Sequence, residues 1–186
     1  MSLVMAVVCT DGIVVSGDFR ISKPTINSVT GERNVSEWKD SSHKIILTNT
    51  NRIVGHTGNA YLQSGESVHD AIKNALFVSE MLKLPTYEEF LRLIMTVKDN
   101  NNSIIEAGII DGQYTVLVWG ANDTEISINH HGGAIGATDY LQQQNILIKG
   151  GHFTTEEAKA LLIKINQETA KIDKTVSPEC EILEIH

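Results

Sequence analysis

The stretch M-S-L-V-M-A-V-V-C-T-D-G-I-V-V-S-G-D, residues 1–18, decides how the fold is read. Two apolar runs flank Thr10, Asp11 and Gly12, and an Asp-Gly pair between apolar runs is a strong hairpin signal. Residues 4–9 are apolar without interruption, so this strand is expected to be covered on both faces. Residues 13–15 begin the return strand, which Gly17 and Asp18 give a polar end.

The same pattern recurs downstream. Asp111 and Gly112 join expected strands over 103–110 and 113–119, and further strands are expected at 44–47, 52–57, 125–128 and 180–185. Leu62, Val68, Ala71, Ile72, Ala75 and Leu76 follow a helical period. Pro85, Thr86 and Glu89 read as a capping box for a helix reaching Val97. Thr154 with Glu157 caps a last helix whose apolar side is Ala158, Leu161, Leu162, Ile165 and Ala170. A short helix is expected from Asp139, after a glycine-rich crossing at 132–137. Residues 21–42, with Pro24, Gly31 and Trp38, are a polar excursion that loops or makes a small hairpin.

The order is strands, two helices, strands, two helices, strand. Each strand set needs a cover for its apolar face. Two antiparallel sheets packed face to face, with a helix layer on each outer side, satisfy this in one domain, 1–186. That is an α+β, four-layer α-β-β-α sandwich.

Composition narrows the function. The chain has 186 residues, 41% apolar and 20% charged, which excludes collagen-like and disordered classes. No apolar run approaches the roughly 18 residues of a membrane helix. A net charge of −8 argues against nucleic acid, whose phosphates recruit Lys and Arg. Cys9 and Cys180 make no disulfide framework, and the chain enters a strand pattern at once, with no secretory signal. A reducing, cytoplasmic compartment is expected.

Asp18 and Arg20 stand two apart at the end of a buried strand, and Lys44, preceded by His43, opens another. A lysine at a strand mouth can sit near Asp18, where the two groups tune each other's proton affinity or simply close the sheet edge as an ion pair. Thr57-Gly58-Asn59 ends a strand where a backbone N–H can face a developing oxyanion. Residues 132–138 lack both the Lys-Ser/Thr of a phosphate loop and a dinucleotide spacing. His130 and His131 face opposite ways on a strand, and His43, His56, His69 and His152 match no metal-ligand spacing. Neither a metal nor a cofactor is expected. Cys9 reads as a small buried hydrophobe.

Together these features resemble the proteasome β-subunit family, with its bacterial relatives, among the N-terminal nucleophile hydrolases. S-L-V-M-A-V-V-C-T-D-G-I-V-V-S-G-D-F-R looks like that family's first hairpin. S-H-K-I-I-L and R-I-V-G-H-T-G-N-A look like its lysine strand and the glycine turn before its first long helix. A-I-G-A-T-D-Y looks like its second glycine segment, and T-T-E-E-A-K-A-L with K-I-D like its last helix. The resemblance implies the N-terminal nucleophile hydrolase fold and a homo-oligomer able to close a ring. It places Ser2 at the nucleophile position, Asp18 and Lys44 at the acid and lysine that serve it, Arg20 at a structural arginine, Gly58 at the oxyanion glycine and Asp173 at a late aspartate near the nucleophile.

The chemistry is coherent. A hydroxyl becomes nucleophilic when a base takes its proton, and a free α-amine, with an unperturbed pKa of about 7.7–8.0, can do so at neutral pH. Peptide or amide hydrolysis follows as the expected activity. Three departures count against it. Ser replaces Thr and is preceded by Met1, which must leave to free the amine; Ala137 stands where active members carry a serine; and 21–43 is longer than the corresponding segment. The family serine after Asp173 matches Val176 or Ser177. The alternatives are an inactive, scaffolding subunit, and a small-amide amidase of the same superfamily with Cys9 as nucleophile.

Overall fold

The computed structural model describes residues 2–26, 33–40, 42–143 and 151–186. The strands are β1 (Leu3–Val8), β2 (Ile13–Asp18), β3 (Arg20–Ile26), β4 (Arg33–Asp40), β5 (Ile45–Leu47), β6 (Ile53–Thr57), β7 (Ser103–Ile110), β8 (Gln113–Trp119), β9 (Ser127–Asn129), β10 (Gly132–Gly136) and β11 (Cys180–Ile185). The helices are α1 (Val68–Met81), α2 (Thr86–Val97), α3 (Asp139–Gln143) and α4 (Thr155–Ile172).

One antiparallel sheet runs β10-β1-β2-β11 and a second runs β5-β6-β7-β8-β9. Strand alternation sorts the core into three layers. Val4, Ala6, Val15, Ile45, Ile53 and Ile105 meet between the sheets. Leu3, Met5, Val7 and Val14 face the other way, onto Ala158, Leu162 and Ile165 of α4. Val54, Ile104 and Leu117 pack under Ile72, Phe90 and Leu93 of α1 and α2. This is the expected α-β-β-α sandwich, and β1 is buried along its whole length as an uninterrupted apolar run requires. Strands β3 and β4 pair antiparallel in a small sheet of their own.

Four local expectations need correction. The two Asp-Gly turns differ. Asp111 and Gly112 have φ of 52° and 76°, as a two-residue hairpin loop demands. The first turn is looser: Cys9 N donates to Gly12 O, and the Asp11 carboxylate accepts from both Thr155 N and Thr155 Oγ at the start of α4. Helix α1 starts at Val68, not near Leu62, because Ser67 accepts the Asp70 N–H as N-cap. The ninth strand is Ser127–Asn129 where 125–128 was expected.

The capping box at Glu89 does not form. Pro85 is the N-cap without a side-chain bond, and Glu89 turns inward to Arg52 at 2.6 Å. Arg52 also holds Glu106 at 2.6 Å, and a buried carboxylate takes a buried guanidinium before a solvated N-terminal N–H. The Thr154–Glu157 box is complete.

Candidate active site

The site gathers where β1 begins, β2 ends and β5 and β6 meet. Ser2 is 3% exposed and precedes β1. Its carbonyl accepts the Ala137 N–H at 2.8 Å, and its Oγ lies 3.5 Å from Arg20 O, a marginal contact. Gly136 has a φ of 92°, and a Cβ there would run into the Ser2 carbonyl and reach 3.0 Å from Thr57 Cγ2. Glycine at 136 therefore lets residue 2, the second glycine segment and the end of β6 converge.

Asp18 is fully buried. Its carboxylate accepts backbone N–H bonds from Leu3 at 2.9 Å, Arg20 at 2.9 Å and Ser177 at 3.3 Å. Burial raises its proton affinity, while those N–H groups and the charge of Lys44 pull it back. Asp18 thus fixes the backbone next to Ser2 and ties it to the segment after α4.

Lys44 is 4% exposed. It packs where Gly17 leaves room: a Cβ on Gly17 would lie 3.0 Å from the Lys44 Cβ. Burial pushes its ammonium below the usual lysine range and the Asp18 charge raises it again. The expected direct Asp18–Lys44 ion pair is not among the ion pairs of the described residues. Asp18 spends its oxygens on backbone N–H groups, and Lys44 Nζ donates to Ser42 Oγ at 3.3 Å. The two charges act on each other through space.

The strand breaks at Phe19 between β2 and β3, so the period of two no longer sets Arg20 and Asp18 on one face. The Arg20 guanidinium instead grips Asp40 twice, each at 2.7 Å, and the carbonyls of Lys174 and Val176. It is the clasp at the root of the β3-β4 sheet.

Gly58 follows β6 at the surface with a φ of 116°; a Cβ there would collide with Asn101 O and Asn102. Among the described residues no acceptor pairs with its N–H. Asp173 is the C-cap of α4, and its carboxylate accepts from Thr175 N and Thr175 Oγ at 2.8 and 2.6 Å. No bond joins it to Ser2 among the described residues. Ser177, not Val176, brings a polar side chain to the site: its N–H meets Asp18 and its Oγ accepts the Phe19 N–H at 3.0 Å. Val176 packs in the apolar layer under α4.

Sequence reasoning missed Ser42, Asn166 and the role of His56. Ser42 and Lys44 are two apart, so an extended backbone aims both the same way, a signal that was legible. Asn166 on α4 donates to Ser177 O at 2.7 Å and so supports Asp18 indirectly, a link no local spacing shows. His56 donates its backbone N–H to Lys44 O at 3.0 Å. Its ring is buried, its Nε2 has no partner among the described residues, and burial together with Lys44 and His69 pushes its pKa down to about 3. It is a neutral imidazole. Cys9 is no nucleophile as it stands: it is 3% exposed, its Sγ lies 3.6 Å from Val7 O, and burial pushes the thiol up to about 11. Among the described residues no group of His, Cys, Asp or Glu side chains has the geometry of a metal site, and no helix is long and apolar enough to cross a membrane.

This arrangement of layers is the N-terminal nucleophile hydrolase fold. Among solved structures, Anbu (ancestral beta-subunit) from Yersinia bercovieri matches with a TM-score of 0.69 at 15% identity, over 98% of this chain and 81% of that one. Eukaryotic HslV from Trypanosoma brucei matches with a TM-score of 0.66 at 16% identity, over 99% of both chains. A mutant Anbu from Hyphomicrobium sp. strain MC1 gives 0.66 at 14%, over 100% of this chain and 81% of that one. At these identities the likeness is one of fold. No family model and no curated protein matches the sequence.

Proposed function

We propose that this chain is a proteasome-like hydrolase of peptide or amide bonds, related to the proteasome β-subunits, with Ser2 as N-terminal nucleophile. The observation that carries the reading is the convergence at residue 2. Its carbonyl is held by Ala137 and the following N–H by Asp18, and Gly136 brings the end of β6, next to the Gly58 turn, against the same glycine segment. Lys44 lies buried at the mouth of the same two sheets. In this reading the α-amine of Ser2 takes the hydroxyl proton, Lys44 keeps that amine neutral by like charge, and the Gly58 N–H stabilises the oxyanion. Asp18 and Arg20 hold the backbone around the nucleophile, and Asp173 orders the segment that delivers Ser177. One domain, 1–186, carries the site. It works in the cytoplasm, as a homo-oligomer, without cofactor or metal.

A specific observation favours a second reading, an inactive scaffolding subunit. Lys44 Nζ is bonded to Ser42 rather than to Ser2, and Ala137 offers no hydroxyl beside the nucleophile. A peptide-substrate screen separates the two readings, run on protein whose amino terminus at Ser2 is verified by intact mass. Turnover that disappears in Ser2→Ala supports the hydrolase; no turnover by the verified form supports the scaffold.

A further inference from the structure

The hydroxyl that Lys44 touches belongs to Ser42. Lys44 Nζ and Ser42 Oγ are 3.3 Å apart, and no carboxylate forms an ion pair with that amine among the described residues. Lys44 is buried with no contacting counter-charge; burial favours the neutral amine, which is a base, while the Asp18 charge opposes this through space. Ser42 differs from Ser2 in access. Ser42 is partly exposed beside the exposed His43, whereas Ser2 is buried. The Ser42 backbone is fixed, its N–H donating to Phe19 O at 3.0 Å, so the hydroxyl is presented from a held position. Its Oγ also approaches His43 O at 3.4 Å, a contact as long as the one to the amine, so the hydroxyl proton is held tightly by neither.

We propose that Ser42 and Lys44 form a nucleophile–base pair that hydrolyses acyl esters and does not need the α-amine of the chain. Neutral Lys44 takes the Ser42 Oγ proton as the oxygen bonds to the ester carbonyl carbon. The tetrahedral intermediate collapses by breaking the bond to the leaving oxygen, which takes the proton back from the Lys44 ammonium and departs as the alcohol. The acyl group remains on Ser42. Water then attacks the acyl carbon with Lys44 again as base, releasing the carboxylic acid and restoring both side chains. Serine–lysine pairs are a known variant of the activated hydroxyl. Esters are the fitting class because their leaving oxygen departs more readily than an amine and asks less of the acid and the oxyanion donors. The pair goes beyond the Ser2 reading, in which Lys44 acts as the ammonium on a different hydroxyl; the Ser42 reaction uses the neutral fraction of Lys44.

The test is labelling of the full chain with a fluorophosphonate, which phosphonylates an activated serine with loss of fluoride. Peptide mapping with fragmentation then assigns the modified residue and separates Ser42 from its neighbour Ser41. The expected result is a single phosphonyl group on Ser42, with a labelling rate that rises with pH and falls at least tenfold in Lys44→Met. Ser42→Ala loses both the adduct and the turnover of a butyrate ester. Thermal melting of each variant checks that it folds, and Ser42→Cys, which keeps a nucleophile, restores labelling by iodoacetamide at a Lys44-dependent rate. An adduct on Ser2 overturns this proposal while supporting the N-terminal hydrolase. No adduct, an adduct on any other residue, or a rate indifferent to Lys44→Met overturns it as well.

Discussion

The Asp18 carboxylate accepts the Leu3 N–H at 2.9 Å, so the end of the second strand holds the start of the first. Through Arg20 N and Ser177 N the same group also holds the root of the β3-β4 sheet and the segment after α4. Asp18→Ala leaves three backbone donors without their acceptor in a closed site. We expect a loss of about 3 kcal/mol, since each buried unsatisfied group costs about 1–3 kcal/mol and some relax toward water. Asp18→Asn keeps one carbonyl oxygen and should lose about half as much. Urea unfolding of the two variants checks this; equal midpoints for wild type and Asp18→Ala would remove Asp18 from its structural role.

Activity toward peptide amides should require a free amine at Ser2. With Met1 attached that nitrogen is an amide and accepts no proton, so the form bearing Met1 should not cleave peptides. In the Ser2-terminal form, Ser2→Ala should abolish turnover, and Lys44→Ala should lower kcat by about tenfold or more, since losing its like charge lets the α-amine hold a proton and each pKa unit changes the neutral fraction about tenfold. Initial rates on both forms, with intact mass confirming each terminus, check it. Equal peptide turnover with and without Met1 would sink the mechanism.

Arg52 holds two buried carboxylates, Glu89 and Glu106, each at 2.6 Å. Arg52→Ala should destabilise the protein by about 3–5 kcal/mol, the usual cost of stranding buried charge. Glu106 has a pH signature. Burial, reinforced by Glu89 and opposed by Arg52, raises its pKa from 4.5 to about 8. Because the folded value is the higher one, its contribution is complete below about pH 4.5 and is lost as pH rises through about 8. Glu106→Gln should therefore flatten the fall in stability across that window. Chemical unfolding at pH 5, 7 and about 9 reads the slope, and an unchanged profile in the variant would refute the assignment.

Gly136 and Gly58 are held to glycine by conformation and by contact. Both have positive φ, and a Cβ on either meets backbone, Ser2 carbonyl in one case and Asn101 carbonyl in the other. Gly136→Ala and Gly58→Ala should each cost at least about 2 kcal/mol. Gly112→Ala is the control, with a φ of 76° but nothing near its Cβ, and should cost less. Melting temperatures of the three variants check the order.

The helix hairpin leaves apolar side chains outside. Phe77 and Met81 on α1, four apart, and Leu91 and Met95 on α2 share stripes and are 42–70% exposed. Homo-oligomerisation through these helix surfaces should be disrupted by Phe77→Glu with Met95→Glu, while the inner stripe around Ile72 and Phe90 stays packed. Light scattering checks it; wild-type protein that is monomeric at high concentration would refute the assembly.

What the sequence determined by itself was whatever the chain decides within a few residues. The uninterrupted apolar run of β1, the Asp111-Gly112 turn, the Thr154–Glu157 box and the helical period of α1 and α4 each depend on neighbours along the chain, and these place the layers of the sandwich. The tertiary structure decided where the polar groups spend their hydrogen bonds. Nothing local says that Asp11 meets Thr155, that Asp18 meets Ser177, or that Glu89 leaves its helix end for Arg52. Apolar burial is non-directional, so a period suffices to foresee it. A buried polar atom must find one particular partner at about 3 Å, and which partner lies there is fixed only when distant segments are brought together.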